Sequence, residues 1–207
     1  MKAFFKNHSY SMVKMFLNQF AIAIFGFAMT LATQATGNVA LRNICSVGSV
    51  IFYLFLIYNM TWELGYRDRV SVTLGKKPRR IFTGALISLC ANIPNFVFAV
   101  FITLGVSIQT ELFGNLGGIF KTLAIILEGM YTGLLMNKLG GIPLNLYWWV
   151  FFLLPIPAIL TSFVAYWMGL KDLRLTKLSD PLIPESDRDP TSKQKTWSGK
   201  DDRKNEK

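Results

Sequence analysis

The stretch LYWWVFFLLPIPAILTSFVAYWMG, residues 146–169, decides the fold class, because it carries no charge and has aromatic residues at both ends. A helix needs about 20 mostly apolar residues to cross ~30 Å of hydrocarbon, and Trp and Tyr gather at the two interfaces. Trp148 and Trp149 at one end, with Tyr166 and Trp167 at the other, therefore mark a span. Working outward, residues 15–35, 44–64, 81–108 and 119–136 come near the same length. The first of these is uncharged and the second closes on Trp62. The third is longer than an upright crossing needs and holds Asn92, Pro94 and Asn95 near its middle, so a tilt or kink is expected there. The fourth is interrupted by Lys121 and Glu128.

Composition agrees with this pattern. Of 207 residues, 52% are apolar and 16% charged, and the mean hydropathy is +0.37, which excludes a disordered chain or a coiled coil. Residues 171–207 hold ten of the 22 Lys and Arg and eight of the 12 Asp and Glu. Residues 1–170 thus read as one transmembrane domain, and 171–207 as a polar tail with Pro181, Pro184 and Pro190 that buries too little apolar surface to fold and is expected to be disordered. The fold class is all-α, an integral membrane helical bundle of four to five segments, since only helices satisfy their own backbone in lipid and no barrel-type alternation is present.

Basic residues in short loops resist translocation. Between the second and third segments, Arg67, Arg69, Lys76, Lys77, Arg79 and Arg80 stand against Asp68 alone, which places loop 65–80 in the cytoplasm. The leader with Lys2, Lys6 and Lys14 falls on the same side. That leader could also open a signal peptide closing near Thr33-Gln34-Ala35, but the apolar run exceeds the usual 7–15 residues. Five full crossings would export the tail, whereas Lys171, Arg174 and Lys177 argue for the inside. Four crossings, with 119–136 re-entrant or interfacial, resolve the conflict and are favoured; five crossings remain the alternative.

Catalytic templates are scarce. The only histidine is His8, and before the tail the acids are Glu63, Asp68, Glu111 and Glu128 alone, so no His-based triad or zinc cluster can be assembled and no metal, cofactor or catalytic residue is expected. Cys45 and Cys90 lie apart in apolar runs and read as small core residues. Glu63 and Asp68 would be an acid/base pair only if a nucleophile or metal accompanied them, and none does. Glu63 and Arg67, four apart, can pair if the helix continues through Gly65.

Candidate sites lie inside the apolar segments. Glu128 sits where a carboxylate is costly and reads as a proton or cation site, unless its segment is interfacial and the carboxylate faces headgroups. Ser88, Asn92 and Asn95 share one helix face, which either lines a path along a broken helix or hydrogen-bonds a neighbouring helix. Gly129 and Gly133, and Thr161, Ala165 and Gly169, are small residues four apart that read as helix-packing contacts, within or between chains. The basic loop suits anionic lipid headgroups or topogenesis, and no nucleic-acid module is present.

The WELGYRDR run at 62–69, with YWMGLK at 166–171, resembles a pattern in uncharacterised small multi-span membrane proteins of Gram-positive bacteria. The resemblance covers these two patches and implies a bacterial plasma membrane, with no activity attached. From the residues, the expected function is that of a non-enzymatic accessory, anchoring or interaction subunit, with membrane lipids and a membrane protein or a second copy as partners. The competing expectation is a small solute or ion transporter or channel working as an oligomer, with Asn92, Asn95 and Glu128 along its path. A lipid-modifying enzyme is a third, weaker one.

Overall fold

The computed structural model describes residues 2–75, 78, 80–108 and 110–173. Lys76, Lys77, Arg79 and the tail beyond 173 lie outside the described residues. The first helix, α1 (Lys2–Gln34), is followed by α2 (Val39–Thr73), α3 (Thr83–Ala91), α4 (Ile93–Ser107), α5 (Glu111–Leu127) and α6 (Thr132–Leu135). A hairpin of β1 (Lys138–Leu139) and β2 (Ile142–Pro143) then leads to α7 (Val150–Leu153) and α8 (Ile156–Leu170). Three helical stretches are long and apolar enough to cross a membrane, His8–Gln34, Val39–Thr73 and Val150–Leu170, and five if each of two bent pairs counts as one.

Local chemistry explains the joints. Gly37 takes φ 69°, the left-handed conformation that lets α1 stop, and Asn38 caps α2 by accepting the Leu41 amide at 3.2 Å. Pro94 stands in the first turn of α4, where its missing N–H costs nothing to α4 but denies α3 a continuous ladder. The axis accordingly bends by 53° between α3 and α4. In the hairpin, Leu139 pairs with Ile142 across Gly140 and Gly141, at φ 61° and 86°, the two positive values that a two-residue turn requires.

The helices lengthen the expected segments and divide two of them. Segment 15–35 belongs to a helix that starts at Lys2, and 44–64 to one that continues to Thr73 through Gly65. Segment 119–136 is the end of α5, then a turn of 3-10 helix at Gly129–Tyr131, then α6, with an 84° bend between the two parts. Segment 146–169 begins as a helix only at Val150.

Contacts fix the path of the chain. At one end Arg69 pairs with Asp172 at 2.8 Å, and Gly65 lies against the Tyr166 carbonyl and Gly169 against that of Trp62, so α2 and α8 run parallel. Gly84 of α3 meets Ser162 of α8, and Phe4 of α1 shares a surface groove with Arg80–Thr83. This basic end therefore gathers the start of α1, the end of α2, the start of α3 and the end of α8. The opposite, hairpin end holds Arg42, whose guanidinium donates to Asn137 Oδ1 at 3.0 Å. Between them, Gly129 rests on the Ala23 carbonyl and Gly133 on Ser46 and Arg42, so residues 129–135 climb along α1 and α2 to the hairpin end. The bundle core is Met15, Ala23, Ile57, Ile87, Met130 and Ala158 with their neighbours.

Candidate functional site

Two chain breaks meet beside the middle of α1. Pro94, just past the α3–α4 bend, and Leu127, just before the α5–α6 bend, line one groove with Phe16, Leu17 and Phe20 of α1. The α4–α5 hairpin thus leaves the bundle and returns to it at a single level. At that level, α3 arrives from the basic end and residues 129–135 depart toward the hairpin end.

Glu128 is the cap between α5 and the turn that follows. It is 3% exposed, and Oε1 accepts one hydrogen bond, from Gln19 Nε2 of α1 at 3.4 Å. Oε2 has no hydrogen-bond partner. Tyr53 of α2, 1% exposed, and Tyr131 lie near enough to Glu128 to interact with it electrostatically. Neither tyrosine hydroxyl has a hydrogen-bond partner. Among the described residues no Lys, Arg or His forms an ion pair with Glu128.

Ser88, Asn92 and Asn95 are all buried and linked in series. Asn92 Nδ2 donates to the Ser88 carbonyl at 2.8 Å and Asn95 Nδ2 to Asn92 Oδ1 at 2.9 Å. The second bond spans the bend, and Asn95 Oδ1 is left without a partner. The amide series and the Glu128 cluster are not hydrogen-bonded to each other among the described residues. They share the level of the breaks, with Asn95 next to Pro94 and Glu128 next to Leu127.

No family model, curated protein or solved structure matches the chain. The site is read on its own chemistry. A buried ion carries a desolvation penalty of several kcal/mol, and one hydrogen bond to a charged group returns about 1.5–3 kcal/mol. A single long bond from Gln19 therefore leaves Glu128 short of compensation. The unpartnered oxygens around it, on Glu128, Tyr53 and Tyr131, are acceptors for a positive charge. No trio of His, Cys, Asp or Glu able to hold a metal occurs among the described residues.

The other expected sites lie elsewhere. Arg67 pairs with Glu63, both exposed; Arg69 pairs with Asp172; and the Arg80 carbonyl accepts from Thr83 at 3.1 Å. Glu63 and Asp68 do not converge, since Asp68 is buried and Tyr166 Oη donates to its Oδ2 at 2.9 Å. The small residues Gly129, Gly133 and Gly169 are taken up by contacts inside the chain, and Ala165 is buried while Thr161 is half-buried. Gln19, Tyr53 and Tyr131 went unmarked in the sequence. Gln19 could have been noticed as an amide in the uncharged run of residues 15–35, whereas tyrosines in such runs read as interface aromatics.

Proposed function

We propose that this protein is a multi-pass plasma-membrane protein that binds a cation at Glu128 and passes it, or a solute carrying it, across the bilayer. In this reading the chain crosses four times. The crossings are α1, α2, a broken third one shared by α3 and residues 129–135, and α7 with α8; the α4–α5 hairpin is inserted at the break. The basic end, with Arg67, Arg69, Arg80 and Lys171, is cytoplasmic by the charge rule, and the hairpin end, with Arg42 and Lys138, is outside.

The observation that carries the reading is Glu128 itself, a buried carboxyl with an unpartnered oxygen at the point where two helices break. Half-helices meeting at mid-bundle, with a polar residue at the junction, are the arrangement by which transport proteins offer backbone and side-chain groups to an ion. The accessory-subunit reading draws on small-residue faces and on the basic loop; Gly129, Gly133 and Gly169 are engaged within the chain, which removes part of the first support, so the transport reading is preferred.

The test is flux. Purified protein in liposomes loaded with a pH-sensitive dye, under an imposed K+ or Na+ gradient, is expected to move charge or protons well above protein-free vesicles. Glu128→Gln, which keeps shape and removes the ionisable carboxyl, is expected to lower the rate at least tenfold. Equal rates in the two proteins, or no flux with the unaltered one, would overturn the assignment.

A further inference from the structure

The groove beside the breaks adds a second observation, independent of Glu128's own surroundings. It has a volume of about 390 Å³ and is lined by Phe16, Leu17, Phe20, Pro94, Phe98, Leu123, Ile126 and Leu127, an entirely apolar set with three phenylalanines. Each of the three helices that line it also contributes, within one or two residues, a member of the buried polar group. Gln19 lies between Leu17 and Phe20, Asn95 follows Pro94, and Glu128 follows Leu127. Phe20, Leu123 and Ile126 are exposed on the outer surface of the bundle, so the groove opens sideways, where lipid would lie.

We propose that the groove is the docking site for a lipophilic organic cation, which enters from the bilayer with its apolar body among the phenylalanines and its charge turned toward Glu128. The inference rests on the reading of Glu128 as a cation site. The occupant's character follows from the two halves. A small hydrated ion gains nothing from an apolar groove, and a neutral lipid chain gains nothing from a carboxylate. A cation with aromatic or aliphatic bulk uses both, and phenylalanine faces attract positive charge in their own right. In the present arrangement Glu128 is closed off from the outside, so docking requires the side chains of Phe20 and Leu127, which flank Gln19 and Glu128, to move aside.

The probe is tetraphenylphosphonium, with tetraphenylborate as an anion of the same size and shape. Binding is measured at equilibrium on the full chain in lipid nanodiscs, with size-exclusion profiles confirming that each variant is folded. The expected result is saturable tetraphenylphosphonium binding, weakened at least tenfold by Glu128→Gln and at least fivefold by Leu123→Trp, which fills the groove from its exposed rim. Tetraphenylborate, which partitions into the lipid itself, should show no saturable binding above that to protein-free nanodiscs, the baseline subtracted for both ions. Equal binding of the two ions, or binding unchanged in either variant, would mark an unselective apolar surface and overturn the proposal. Failure to bind tetraphenylphosphonium while Glu128→Gln still abolishes flux of small cations overturns the lipophilic substrate alone; absence of both effects overturns the transport reading as well.

Discussion

Glu128 and Asp68 are two buried carboxyls that the fold treats in opposite ways. Asp68, at the basic end, accepts the Tyr166 hydroxyl at 2.9 Å and sits beside the Arg69–Asp172 pair. Glu128 keeps an oxygen without a partner. On the proposed transport reading, the first arrangement holds structure and the second keeps a group free for a cation, and substitution should separate them. Tyr166→Phe is expected to lower unfolding stability by about 1.5–3 kcal/mol, the usual worth of a hydrogen bond to a charged group, without affecting cation flux; thermal denaturation in detergent reads the former and the liposome assay the latter. Glu128→Gln should leave the melting temperature unchanged or raise it while flux is lost, as happens when a strained functional group is replaced by a neutral one of the same shape. A melting temperature lowered by several degrees would make Glu128 a structural residue instead. At this scale the sequence identifies the expensive group but not its company. An acid in an apolar run is conspicuous by composition, whereas Gln19 and Tyr53 become neighbours of Glu128 only when helices more than a hundred and more than seventy residues away are packed against it.

At the scale of elements, close helix approach depends on glycines whose hydrogen no methyl can replace. Gly65 and Gly169 let α2 and α8 touch backbone to backbone, and Gly129 does the same for the turn against α1. Alanine at any of them meets a carbonyl, so Gly169→Ala is expected to cost about 1–3 kcal/mol through overpacking. Gly129→Ala should cost a similar amount and, because its neighbour is Glu128, also lower flux; the pair of assays distinguishes the two positions. If Gly169→Ala unfolds no more easily than the unaltered protein, the parallel α2–α8 contact is not as close as described. The apolar stretches that became α1, α2 and α8 were legible because each is long and uninterrupted. The division of 81–108 and of 119–136 into halves was only partly so. Pro94 announces the first bend, but nothing local says that residues 129–135 lead on toward the hairpin end from the level at which α3 stops, since that depends on where the α4–α5 hairpin returns.

For the whole molecule, the decisive consequence is the side on which Lys171 lies. Parallel α2 and α8 put residues 65–75 and 171 at the same end. On a background with Cys45 and Cys90 replaced by alanine, single cysteines introduced as Leu74→Cys and Lys171→Cys are expected to react with an impermeant thiol reagent from the cytoplasmic side. Ala35→Cys and Leu139→Cys should react from outside. Labelling of Lys171→Cys from outside, with Leu139→Cys labelled from the cytoplasmic side, would support five crossings and remove the four-crossing path. The contacts between α2 and α8 place Lys171 at the same end as the basic loop, and the side that end faces follows from the charge rule alone.

The same parallel pair bears on biogenesis. Ribosomes deliver α2 early and α8 after every other described helix, yet α8 is the element that covers Gly65, Gly84 and Asp68. Until it arrives, Gly65, Gly84 and Asp68 lack the neighbours that α8 supplies. The α2–α8 contact therefore forms last in synthesis, when the final described helix packs beside a partner made roughly a hundred residues before it.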